Sequence, residues 1–81
     1  MNQERAMMRG LLAERRMAFQ REEIRADGLL TALRMLLNPY VEAVALDEEK
    51  IQALARDLCE GVARMKKLRS EIARIEESLD G

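Results

Sequence analysis

Between Ile51 and Leu79 the sequence repeats apolar residues every seven positions. The first set is Ile51, Leu58, Met65, Ile72 and Leu79, and the second set, three positions later in each repeat, is Leu54, Gly61, Leu68 and Ile75. This a/d pattern over four heptads is typical of a helix that packs lengthwise against another helix. The pattern predicts a long helix with one seam, and it constrains the fold more than any other feature of the chain.

A second long helix is predicted upstream, where the residues from about Glu4 to Leu37 are nearly all strong helix formers. Apolar residues recur there at seven-residue spacing as Leu12, Phe19, Ala26 and Leu33. The pair Asp27-Gly28 is a weak point, since Gly lowers helix stability by about 1 kcal/mol against Ala. Apolar residues resume in phase just beyond it, so we expect one helix that continues through Gly28.

Two local signals separate the helices. Asn38-Pro39 ends the first helix, because the residue before a proline is pushed out of the α region. Asp47 is placed as the N-cap of the second helix, with Glu48 and Glu49 in its first turn, where the helix dipole favours anions. The predicted segments of this single domain are a helix over about 4–37, a connection over 38–46 (the hinge) and a helix over about 47–79.

Two helices of equal length joined by so short a connection pack as an antiparallel αα-hairpin. The charges agree, since folding the chain about residue 42 sets Arg5 and Arg9 beside the acidic end of the second helix. The predicted fold class is therefore all-α, a coiled-coil-like hairpin. Its seam is expected to contain Leu12, Phe19, Ile51, Leu54, Leu58, Met65, Leu68, Ile72 and Ile75.

Near the hinge the apolar stripe of each helix becomes wider than one partner helix can cover, which predicts a second partner. We expect a homodimer in which the hinge-proximal halves of two hairpins form a four-helix bundle, with Tyr40 packed on its end. The residues expected at this interface are Leu29, Leu30, Leu33, Leu36, Leu37, Ala55 and Val62. A parallel pairing of two copies of the second helix is left open as the other arrangement.

Few residues offer chemistry. The 81 residues include no His, so His-based acid–base catalysis and His metal ligation are both absent. Cys59 is the lone cysteine, and no catalytic partner accompanies it. Adjacent acidic pairs such as Glu22-Glu23 point about 100° apart on a helix and do not chelate together. We expect no catalytic residue, no metal and no cofactor, and the protein is predicted not to be an enzyme.

One cluster is basic. In an antiparallel hairpin the positions that fall close together along its length are Arg15, Arg16, Arg64, Lys66, Lys67 and Arg69. Such a cluster suits nucleic-acid phosphates, although Glu14 and Glu71 interrupt it and no aromatic residue is interleaved for base stacking. The favoured interpretation is that these long side chains shield the seam, while an acidic protein is a third possible partner.

The stretch Leu33-Arg-Met-Leu-Leu-Asn-Pro-Tyr40, the helix restart at Leu46-Asp47 and the tail Ile72–Leu79 resemble small uncharacterised helical-hairpin proteins of Mu-like prophages. The resemblance covers mainly residues 33–79, implies a bacterial or phage cytoplasmic setting and transfers no functional residues. A cytoplasmic location also fits the lone cysteine. No apolar run reaches the roughly 18–20 residues of a membrane span, so no membrane partner is expected.

The predicted function is a non-enzymatic protein-interaction module, an adaptor, chaperone or small regulator that acts as a dimer of hairpins. The alternative is a nucleic-acid-binding accessory protein that uses the basic cluster. Met17 and Ile24, seven positions apart and off the main stripe of the first helix, are the expected exposed anchors for another protein. The pattern does not identify that partner.

Overall fold

A computed structural model describes residues 2–81, which form two long α-helices and a short connection. Helix α1 spans Asn2–Leu36 and helix α2 spans Glu48–Asp80, with one turn of 3-10 helix at Ala43–Ala45 between them. Residues 2–81 contain no β-strand. The predicted all-α hairpin is therefore confirmed.

The two helices lie antiparallel along a rod that measures 63 × 17 × 14 Å. At the open end, the Nη2 of Arg5 donates a hydrogen bond of 2.7 Å to the carbonyl oxygen of Leu79. Further along, Arg16 and Glu76 form an ion pair of 2.9 Å. These contacts between the beginning of α1 and the end of α2 show that the two helices run antiparallel.

Helix α1 runs unbroken through Gly28, as predicted. Gly28 is exposed, and nothing lies within 4 Å of the position that a Cβ atom would occupy there. No close approach of another part of residues 2–81 therefore explains this glycine. Its cost in helix stability is tolerated because packing of the whole helix outweighs about 1 kcal/mol.

Local hydrogen bonds give the hinge its shape. The side-chain Oδ1 of Asn38 accepts the N–H of Tyr40 at 2.9 Å, and its carbonyl oxygen accepts the N–H of Val41 at 3.0 Å. The carbonyl of Glu42 then accepts the N–H of Ala45 at 2.9 Å. Because Pro39 also fixes its own φ, the hinge has a defined backbone.

Asp47 occupies the N-cap of α2, as predicted, and its Oδ1 accepts the N–H of Lys50 at 3.1 Å. Glu48 and Glu49 follow in the first turn of the helix. Both carboxylates are placed where the partial positive charge of the helix N-terminus stabilises them. The start of α2 is thus fixed by residues next to one another in the sequence.

The core is thin. Among residues 2–81, the buried hydrophobic side chains are Leu12, Ala26 and Leu33, all from α1. The α2 seam is half-buried apart from Gly61, which is buried. A two-helix rod leaves about half of each helix in solvent, so most apolar side chains are covered on one side only. Within residues 2–81 no helix combines the length and the hydropathy needed to cross a bilayer.

Candidate interaction surfaces

All nine residues predicted for the seam are buried or half-buried in the hairpin. They share the inner surface with a second set of α1 residues, which the seven-residue spacing places three positions after Leu12, Phe19, Ala26 and Leu33. That set is Arg15, Glu22, Leu29 and Leu36, and all four are half-buried. The α1 side of the seam is therefore apolar toward the hinge and charged in its distal half.

Glu22 projects toward Gly61 of α2. A Cβ atom added to Gly61 would lie 3.6 Å from the Oε2 of Glu22 and 3.9 Å from the Nη2 of Arg64. The missing side chain of Gly61 leaves room for the Glu22 carboxylate between the helices. The Oε1 of Glu22 accepts a hydrogen bond of 2.8 Å from the Nε of Arg64, so the carboxylate enters the seam with its counter-ion.

The Glu22–Arg64 pair is held by that one hydrogen bond. The Oε2 of Glu22 and the Nη2 of Arg64 are buried and have no hydrogen-bond partner within residues 2–81. The hydrogen bond that Arg64 donates to Glu22 raises the pKa of Arg64, while desolvation opposes the effect and nearby carboxylates add to it. An ion pair of this kind is expected to influence the relative position of the helices more than it adds stability.

A second ion pair lies nearer the open end. The Nε of Arg15 donates to the Oε2 of Glu71 at 2.8 Å, and both side chains are about one-third exposed. Neither pair follows from the most apolar positions of α1 alone. Strict seven-residue spacing from Met8 places Arg15 and Glu22 in the seam, with Glu22 opposite the glycine that interrupts α2.

The residues predicted for the dimer interface divide into two groups. Leu29, Leu33 and Leu36 belong to the seam and are covered within one hairpin, with Leu33 only 8% exposed. The others flank the seam on one side and are Leu30, Leu37, Ala55 and Val62. These four form the surface called here the lateral face.

The lateral face spans both helices. Its four residues have the same heptad position as Arg16 of α1 and Glu76 of α2, which contact each other directly. Residues at that heptad position of the two helices therefore lie on the same side of the hairpin. Leu30, Ala55 and Val62 are half-buried and Leu37 is 52% exposed, so an apolar patch flanks the seam beside the hinge.

A second apolar patch lies on the hinge itself. It consists of Tyr40, Val41 and Val44, named here the hinge surface. Tyr40 is 94% exposed and Val44 is 90% exposed. The expected packing of Tyr40 against a bundle end does not occur within one hairpin, because the backbone of the hinge directs its ring into solvent.

The hairpin engages four members of the basic cluster internally. Arg15, Arg16 and Arg64 are in ion pairs, and the guanidinium of Arg69 lies 5.6 Å from the centroid of the Phe19 ring. Lys66 and Lys67 are exposed. Binding of nucleic acid by this cluster stays a prediction, and it requires phosphates to compete with carboxylates that already neutralise three arginines.

The remaining expected anchors lie on the outer side of α1. Met17 is 58% exposed and Ile24 is 71% exposed. Cys59 is an exposed free thiol on α2. In the part of the chain that the structure describes, no group of three or more Cys, Asp or Glu side chains is arranged to hold a metal ion.

Compared with known proteins, the chain matches no family model, no curated protein and no solved structure at a significant level.

Proposed function

We propose that this chain is a non-enzymatic protein-interaction module that works as a dimer of hairpins. In the dimer, the hinge-proximal halves of two copies form a four-helix bundle through their lateral faces. Adaptors, chaperones and small regulators are the roles that such a module serves. The observation that supports the proposal is the lateral face itself, an apolar patch that the single hairpin leaves partly uncovered.

The total accessible surface is larger than that of a compact protein of the same mass, which supports a partner that covers part of it. A compact monomer of 9.3 kDa is expected to expose about 5,000 Å², whereas the hairpin exposes 6591 Å². The difference of about 1,600 Å² for one chain exceeds the roughly 800 Å² that each partner contributes to a standard protein–protein interface. Burial of part of this surface by a second copy would compensate for the thin core.

Charge limits where the second copy packs. In the distal half, the heptad position of the lateral face is occupied by charged residues, so the apolar contact is confined to the half beside the hinge. These residues are Arg9, Arg16, Glu23, Arg69 and Glu76. The alternative parallel pairing of two α2 helices would need the Ile51–Leu79 seam, which α1 already covers. Packing through the lateral faces leaves both hairpins intact and is the arrangement that we propose.

Sedimentation equilibrium at micromolar concentrations tests the proposal. We expect a dimer for the native chain and a monomer for Val62→Asp or Leu30→Asp, because a carboxylate on the lateral face would lose its hydration in the dimer interface. Ile24→Asp is the matched control, since Ile24 is exposed on the outer side of α1 and should leave the dimer unchanged. A monomeric native chain, or equal loss of the dimer in Ile24→Asp, would contradict the proposal.

A further inference from the structure

The hinge surface presents apolar side chains on an ordered backbone. Tyr40 and Val44 are each at least 90% exposed, yet the hinge is held by the hydrogen bonds that Asn38 and Glu42 accept and by Pro39. A backbone held in this way loses little conformational freedom on binding, which is the usual advantage of a preorganised site. Tyr is also among the residues that most often dominate binding energy at interfaces.

The surroundings of the hinge surface are acidic. Residues 38–50 contain four carboxylates, from Glu42, Asp47, Glu48 and Glu49, against the single cation Lys50, a net charge of −3. The rest of the chain has thirteen Lys and Arg against eleven Asp and Glu, a net charge of +2. None of the four carboxylates is in an ion pair within residues 2–81, so their charges are available to a partner.

We infer that the hinge surface binds a basic amphipathic helix of another protein, with its apolar side on Tyr40, Val41 and Val44. The Lys and Arg residues flanking that apolar side would face the carboxylates of residues 42–49. This inference rests on the proposed interaction function and names the chemistry of the partner. An apolar centre with a charged rim is the usual anatomy of such a contact.

Electrostatic repulsion also disfavours the other possible occupants of the hinge surface. Two hinges brought together would each carry a net charge of −3, and like charges across an interface oppose association. A second copy of the hairpin is therefore disfavoured at the hinge surface, although it suits the lateral face. Anionic lipid headgroups and nucleic-acid phosphates are repelled for the same reason.

The chain offers a direct reporter for this contact. Tyr40 is its one tyrosine and it has no tryptophan, so tyrosine fluorescence arises from the hinge surface alone. The probe is a helical peptide of leucine and lysine, about 18 residues or five turns long, with leucine on one side. Its control is the same peptide with every lysine replaced by glutamate.

We expect the leucine–lysine peptide to shift the Tyr40 fluorescence with saturable, micromolar binding, and the leucine–glutamate peptide to have no effect. Val44→Ser should weaken binding about tenfold, because one buried valine contributes on that scale. The double variant Glu42→Gln/Glu49→Gln should weaken binding by a few fold and reduce its salt dependence. Ile24→Ser, which changes a comparably exposed side chain on α1, should leave binding unchanged.

These variants change exposed residues, so circular dichroism should report native helix content for each. Equal binding of both peptides would overturn the inference, as would equal weakening by Val44→Ser and Ile24→Ser. Binding to anionic vesicles that Val44→Ser abolishes would identify a membrane as the occupant instead, and assembly beyond a dimer that Val44→Ser abolishes would identify a further copy. If the chain is a dimer but does not bind the leucine–lysine peptide, this inference alone is overturned. If it is a monomer that binds the peptide, only the proposed dimer is overturned.

Discussion

The half of the hairpin beside the hinge and the distal half use the same two helices but place different chemistry between them. Beside the hinge, α1 contributes Ala26, Leu29 and Leu33 to the seam, and an apolar lateral face flanks it. In the distal half, the heptad position of Leu29 is occupied by Arg15 and Glu22, each paired with a charged residue of α2. On the α1 side, the hinge-proximal half contributes mainly apolar contacts, and the distal half adds hydrogen-bonded ion pairs.

This difference shows how a two-helix protein obtains both stability and a unique alignment. Apolar seams alone permit helices to slide by a heptad, because leucine packs against leucine in several registers. The hydrogen bond between Arg64 and the Glu22 carboxylate favours the register that places Glu22 opposite Gly61. The hinge-proximal half therefore supplies the more apolar part of the α1 side of the seam, and the distal half supplies the ion pairs that join the two helices.

The largest effect is expected from truncating an apolar side chain in the seam beside the hinge. Leu33→Ala should lower the free energy of unfolding by about 2–4 kcal/mol, through lost burial and the cavity that remains. Leu12 has the same heptad position and nearly equal exposure, 9% against 8%, so Leu12→Ala is its matched control. We expect a smaller loss for Leu12→Ala, since the open end of the hairpin can open locally. Urea titrations followed by circular dichroism measure both, and equal losses would contradict a difference between the halves.

An intermediate effect is expected at the Glu22–Arg64 pair. Glu22→Ala should destabilise the hairpin less than Leu33→Ala does, because Arg64 is then left beside the seam without its carboxylate. Replacing both residues, as Glu22→Leu/Arg64→Leu, should recover the lost stability, since apolar packing can substitute for an ion pair that is partly buried. A double variant less stable than Glu22→Ala would show that the pair contributes more to stability than to alignment.

Replacing a helical glycine by alanine is expected to change the free energy of unfolding by a smaller amount and to raise it. Gly28→Ala should raise the free energy of unfolding by about 1 kcal/mol, because a methyl group there contacts nothing within 4 Å. Gly61→Ala should give a smaller gain, since its methyl group would lie 3.6 Å from the Glu22 carboxylate. Thermal unfolding of both variants tests the comparison. A larger gain at Gly61 would show that Glu22 does not need the space.

The smallest effect is expected at the exposed pair in the distal half. Arg16→Ala removes the ion pair with Glu76, whose side chains are about half exposed. Such surface pairs contribute roughly 0–1 kcal/mol, and salt screens them. We expect a loss below about 0.5 kcal/mol, which should disappear when the urea titration is repeated in high salt. A loss equal to that of Glu22→Ala would remove the distinction between seam and surface pairs.

Much of the fold could be predicted from short-range signals. The seven-residue spacing, the break at Asn38-Pro39 and the N-cap at Asp47 act within a turn or two of helix, so they are readable without knowledge of the partner helix. The partners of Arg15 and Arg64 could not be predicted, because they lie 56 and 42 positions away in the sequence. The exposure of Tyr40 in the single hairpin depends on the backbone path of the hinge, and its packing on the end of a bundle stays a prediction.

By itself, the sequence determined two long helices, their apolar sides and the place where the chain reverses, because these follow from local propensity and periodicity. Only the tertiary structure decided which charges meet, which apolar residues the hairpin covers and which it leaves exposed. The physical reason is that ion pairing and burial depend on distances between segments far apart in the chain, and those distances exist only once the helices have packed.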